Sequence, residues 1–207
     1  ASTFGYMFAN ALNFNNGGST GIANWDTSNV TSMEGMFYES PVFNQPIGYW
    51  DTSNVTRMNS MFRMASGFNQ DIGSWDMSNV INMSTMFFGH GIRNSASGFN
   101  NGGSSSISGW NTSSLQNMAQ AFDYNYRFDQ PLGGWDVSNV TWAIEFIMHG
   151  GLSTANYDDT LIGWGAQSVQ NGVNIHFGNS RYSAGAAASD RQALVNRGWT
   201  ITDGGQA

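Results

Sequence analysis

Large apolar residues recur at fixed distances through the first 150 residues of the chain. The clearest marker is a tryptophan, found at Trp25, Trp50, Trp75, Trp110 and Trp135. An aliphatic residue follows each tryptophan five positions later, and further apolar residues follow at eight, eleven and twelve positions. Successive tryptophans are 25, 25, 35 and 25 residues apart. This part of the sequence is therefore built from near-copies of one unit.

Within one unit, the apolar pattern changes from a period of two to the spacing of a helix. Trp50 and Thr52 share one face of a predicted extended segment, and Asp51 lies on the other. The apolar positions that follow have the spacing of one helical face, which predicts a short helix. In the second unit they are Val55, Met58, Met61 and Phe62. Because one unit cannot bury its apolar residues alone, we expect a stack of units with an α/β architecture: short parallel strands on one side and short helices on the other.

The 35-residue unit is explained by two insertions that fall in predicted loops. One is the segment HGIRNSASG at 90–98, and the other is the phrase FNNGGS at 99–104, which also occurs at 14–19. Loops held by a rigid scaffold often carry function, so these inserts are candidate binding loops. The alternative is that they are passive, solvated loops.

The last part of the chain has a different pattern. We expect about five to six units of about 25 residues each over 1–150, and an α/β cap over 151–207 that packs on the last unit. In the cap, 157–167 and 184–197 have helical character, whereas 173–177 and 199–202 are predicted strands. At the other end, Ala1 takes the place of the unit's aliphatic residue, so we expect that the chain begins within a repeat and is part of a larger protein.

Composition and charge exclude several classes of protein. Only 10% of the residues are charged, every basic residue is an arginine, and the net charge is −7. A chain this acidic is not suited to binding a nucleic-acid backbone. The absence of cysteine excludes disulfides and thiolate metal sites. No apolar run reaches about 18 residues, so no membrane insertion is expected.

The repeated phrase resembles a known family. The pattern F-N-Q-x-I-G-x-W-D-x-S-N-V-T-x-M-x-x-M-F, seen best in 43–62, is similar to the bacterial surface protein repeat of about 26 residues, which is grouped with BspA-like leucine-rich repeats. The resemblance covers about 1–150, and 151–207 resembles the segment that often follows such repeats. It implies a leucine-rich-repeat-like solenoid, an extracellular or bacterial cell-surface location and an adhesive function.

Candidate binding residues lie on the predicted outward face. One of them follows each tryptophan directly: Asp26, Asp51, Asp76, Asn111 and Asp136, here called the Asp row. Tyr49 and Ser74 are further candidates on this face. One interpretation is a site for a ligand or a cation, with Ca²⁺ as a weak candidate. The other is that each Asp accepts hydrogen bonds within its own turn.

No catalytic pattern accompanies these candidates. The three histidines, His90, His149 and His176, are not spaced like metal ligands, and we expect no enzyme activity and no cofactor. The sequence therefore predicts a monomeric recognition module that binds a protein or glycan on a host cell, neighbouring cell or matrix, and contacts flanking domains of its parent protein. The alternatives are a dedicated glycan-binding module and a passive spacer.

Overall fold

The computed structural model describes residues 2–89 and 98–207, in which the units lie side by side in parallel register. Strand β1 (Ser2–Thr3) pairs with β2 (Val30–Ser32), and single-residue parallel bridges continue the ladder from unit to unit. The bridged positions all lie seven residues after a repeat tryptophan and are called the ladder row: Ser32, Arg57, Asn82, Asn117 and Trp142.

Turns take the place of the short helices expected in each unit, so that part of the prediction is wrong. In the second unit, Met61 N–H donates to the Met58 carbonyl (3.2 Å), three residues back. The intervening Ser60 N–H instead donates to the Ser84 carbonyl of the next unit (2.9 Å). Ser60 has a left-handed backbone (φ 59°), which interrupts helix geometry. Alternate N–H groups are thus directed to the neighbouring unit, whereas a helix would use them internally.

The inserted FNNGGS loops form short 3₁₀ helices. Their bounds are Asn16–Gly18 and Thr20–Asn24 in the first unit, and Asn101–Gly103 and Ser105–Gly109 in the long unit. The other predicted binding loop, 90–98, lies outside the described residues except for Gly98.

The repeat tryptophans form a column inside the stack, as the sequence predicts, although Trp25 at the first position is 36% exposed. Each buried indole N–H donates to the carbonyl of an Ile in the preceding unit; for Trp50 the acceptor is Ile22, at 2.9 Å. Beside this column, pairs of phenylalanine rings stack within each unit, with Phe37 and Phe43 having centroids 3.7 Å apart. Neighbouring units are therefore joined by both apolar packing and side-chain hydrogen bonds.

The C-terminal segment continues the stack with regular elements. In order, they are α1 (Thr154–Gly165), β3 (Asn174–His176), α2 (Ala186–Asn196) and β4 (Thr200–Thr202). The predicted helices and strands are confirmed; α1 begins earlier than predicted, at Thr154, and the other three elements have shorter bounds. Strands β3 and β4 are parallel, and an Ala143–Ile175 bridge joins them to the last repeat. Trp164 of α1 extends the tryptophan column, since its indole N–H donates to the Leu132 carbonyl (2.8 Å).

A buried polar cluster holds the C-terminal elements together. The Arg191 guanidinium of α2 pairs with Asp203, which follows β4, at 2.7 Å. The Tyr157 hydroxyl of α1 donates to the same carboxylate oxygen, also at 2.7 Å. Burial, and then the hydrogen bond to Asp203, raise the pKa of Tyr157 far above its usual value, so its hydroxyl stays protonated and remains a donor.

Candidate functional site

The Asp row forms a series of turns along one edge of the stack. In each unit, the side-chain oxygen accepts the backbone N–H two residues later. The donors are Ser28, Ser53, Ser78, Ser113 and Ser138, at 2.9–3.1 Å. The interpretation that each Asp serves its own turn is confirmed, and Asn111 makes the same bond without a charge.

These turns stabilise the ionised form of the carboxylates for which a shift is seen. The Ser28 hydroxyl (2.6 Å) and then the Ser28 backbone N–H lower the pKa of Asp26. The Ser53 hydroxyl and backbone N–H lower that of Asp51 in the same way. Both side chains are exposed, so water screens the repulsion between neighbouring charges.

The Asp row does not form a multidentate metal centre in the structure. Among residues 2–89 and 98–207, no group of three or more His, Asp or Glu side chains is placed to hold a metal ion. A calcium site needs six to eight oxygen ligands, and the row brings its carboxylates together only as neighbours in a line. The structure thus gives the Ca²⁺ interpretation no support.

Tyr49 and Ser74 come together in a depression whose lining does not include the Asp row. Both line a surface depression of about 570 Å³ together with Asp71 and Ser106, and Tyr49 is 89% exposed. The polar groups around it are largely engaged, because Ser74 donates to the Gly48 carbonyl (2.6 Å) and Ser106 donates to Asp71 (2.7 Å). The predicted site residues are therefore divided between two places on the surface.

The ladder row is the surface that the sequence prediction missed. Its members point outward because the residue that follows each of them, such as Met58 after Arg57, points into the core. In Asn82 and Asn117 the Oδ1 atom accepts the backbone N–H two residues later, at 2.9 and 3.0 Å. Their amide nitrogens have no hydrogen-bond partner in the part of the chain that the structure describes.

A depression of about 410 Å³ lies along the ladder row. Its lining is polar, with the single exception of Ile81: Glu34, Arg57, Asn59, Asn82, Gln116 and Asn117. The Oδ1 atom of Asn59 is buried there without a partner among the described residues. Beyond Asn117, Trp142 is 58% exposed, which is unusual for so large an apolar side chain. This row therefore combines unpaired polar groups with an accessible aromatic ring.

The two histidines that the structure describes, His149 and His176, have different partners. His149 packs on Tyr124 (ring centroids 3.9 Å apart), and its Nδ1 lies 3.1 Å from the buried carboxylate of Asp123. His176 lies on β3, where its Nδ1 accepts the Gly178 N–H (2.9 Å). His90 lies outside the described residues. His149 and His176 both line a depression of about 550 Å³, but no nucleophile with an activating base is seen there.

The signal for the ladder row was variation within the repeat. The position seven residues after tryptophan holds Ser, Arg, Asn, Asn and Trp, whereas the position after tryptophan is almost constant. A residue that each unit needs for folding recurs in every unit. A residue that faces solvent and has no role in folding can differ from unit to unit.

The stacked units and their outward rows define a tandem-repeat protein. The chain belongs to the family described as "Mycoplasma protein of unknown function, DUF285", whose model matches 2–101 and 91–186. No curated protein and no solved structure matches the chain. No helix within the described residues is long and apolar enough to cross a membrane.

Proposed function

We propose that this chain is a non-catalytic recognition module of a bacterial secreted or cell-surface protein, with a leucine-rich-repeat-like solenoid of the BspA type. The resemblance of the repeated phrase to surface adhesins supports the location and the class of function. The fold supports it as well, because stacked units give an extended and rigid surface of the kind that repeat proteins use for binding.

The observation that carries the proposal is the ladder row, with Trp142 exposed beside unpaired polar side chains. Tryptophan and arginine are enriched among the residues that contribute most to binding. The row contains both, in Trp142 and Arg57, on a surface whose backbone is fixed by bonds to neighbouring units. A passive spacer has no need for either side chain.

The test is a binding screen in which the labelled protein is applied to two sets of immobilised ligands, a panel of extracellular-matrix proteins and a glycan array. The matched variant is Trp142→Ala, which removes a ring that is 58% exposed. We expect the unchanged chain to bind at least one of the two sets, and we expect the variant to bind it more weakly. Absence of binding on both would contradict the recognition function and favour a spacer.

A further inference from the structure

The ladder row offers hydrogen-bond donors to a ligand. Because the Oδ1 atoms of Asn82 and Asn117 are engaged by the backbone, their amide N–H groups are the atoms left for a partner. Arg57 carries donors only, and its guanidinium has no hydrogen-bond or ion-pair partner within residues 2–89 and 98–207. The Trp142 indole N–H is likewise unpaired there. A ligand that satisfies this row presents acceptors.

The spacing of the donors favours a periodic ligand. Parallel neighbours lie about 4.8 Å apart, so the four positions from Arg57 to Trp142 form a regular series. A sugar in a linear 1→4-linked glycan advances its chain by a comparable length. An extended peptide advances by only about 3.3 Å per residue, which differs more from the spacing of the row than the advance of one sugar does.

The end of the series suits a sugar ring. Trp142 is 58% exposed, and its ring stacks on no other aromatic ring among the described residues. An indole face open to solvent can pack against the C–H face of a pyranose, which removes apolar surface from water on both sides. The amides of Asn82 and Asn117 lie along the same line and can bond to successive sugars.

Charge favours a neutral ligand. Glu34 and Arg57 both line the depression, so the formal charges in it sum to zero. The net charge of the chain is −7, which repels a polyanion and attracts any polycation without specificity. An N-acetyl group supplies a carbonyl acceptor without adding charge, and because successive 1→4-linked sugars alternate in orientation, hydroxyl oxygens serve as the acceptors on the sugars between.

From these four observations we propose that the ladder row binds a neutral, N-acetylated linear glycan along the stack axis, with one sugar for each unit. This inference rests on the proposed recognition function and names its ligand class.

The test is calorimetric titration of the full chain with N-acetylglucosamine oligomers of two to six sugars, linked 1→4. We expect affinity to rise up to four sugars and then to level off, because the series from Arg57 to Trp142 has four positions. Trp142→Ala should lower the affinity for the tetramer by about tenfold, equivalent to about 1.4 kcal/mol. Asp51→Asn, in the Asp row, should leave the affinity unchanged, and unfolding midpoints check that both variants fold.

The matched ligand control is the de-N-acetylated oligomer of the same length, which is cationic. The proposal requires weaker binding of this oligomer, although the net charge of the protein attracts it. Equal or tighter binding would overturn the inference, as would an affinity unaffected by Trp142→Ala. If no oligomer binds but matrix proteins do, the glycan inference fails and the recognition function stands. If nothing binds in either assay, both fail.

Discussion

The Asp row and the ladder row use the same local turn but leave different atoms for a partner. Asp51 and Asn82 each place a side-chain oxygen on the backbone N–H two residues later. The Asp row is left with a charged acceptor oxygen, which water solvates well. The ladder row is left with uncharged amide donors, next to an exposed indole. The nearly constant row serves the stack, and the variable row is available to a ligand.

The largest expected effect is a difference in stability between substitution of an inward tryptophan and substitution of the outward one. Trp110 is buried and donates to the Ile72 carbonyl (3.2 Å), so Trp110→Ala should lower the free energy of unfolding by about 3–5 kcal/mol. Trp142→Ala should change it by less than about 0.5 kcal/mol. Chemical denaturation of both variants measures the difference, and comparable losses would show that Trp142 is part of the core.

The second largest effect is expected when the stability losses of two arginine substitutions are compared. Arg191→Ala leaves the Asp203 carboxylate buried without its cation, and we expect a loss of about 3 kcal/mol. Arg57→Ala removes no hydrogen bond or ion pair with another residue of 2–89 or 98–207, and it should be close to neutral. Hydrogen exchange adds a regional measurement: Arg191→Ala should speed exchange first in α2 and β4. An equal increase throughout the repeats would contradict a cluster that acts on the C-terminal elements.

A smaller effect concerns acid stability. The pKa values of Asp26 and Asp51 are lowered in the folded chain, so their contribution is full above the unfolded value of about 4. It is lost as the pH falls through the lower folded values. The double variant Asp26→Asn, Asp51→Asn keeps an acceptor in each turn, as Asn111 does, and should lose less stability between about pH 7 and about pH 2. An unchanged loss would mean that these turns do not prefer the ionised form.

The smallest expected effect concerns cations. Thermal unfolding with a chelator and with added Ca²⁺ should give the same midpoint, because each carboxylate of the Asp row is engaged in its own turn. A midpoint raised by more than about 4 °C with Ca²⁺ would indicate a stabilising site in the row.

The buried columns and the Asp turns could be predicted from the sequence, because residues such as Trp50 and Asp51 recur in register and the physics of one unit applies to all. The turns were mistaken for helices because the spacing of Val55, Met58 and Phe62 fits both. Helix spacing reports which residues point inward, and it does not show that Ser60 directs its N–H to the next unit. The ladder row could not be inferred from recurrence, since its five residues include Ser, Arg, Asn and Trp and no single type recurs throughout.

The most direct test of the account compares binding by two variants, one substituted in the ladder row and one in the Asp row. One variant carries Arg57→Ser and Trp142→Thr in the ladder row, and its matched partner carries Asp51→Asn and Asp76→Asn in the Asp row. Both are measured against the matrix-protein panel and the glycan array, beside the unchanged chain. We predict that the ladder-row variant loses binding while the Asp-row variant keeps it. Loss of binding in the Asp-row variant, with the ladder-row variant unaffected, would contradict the assignment of the ladder row as the recognition surface.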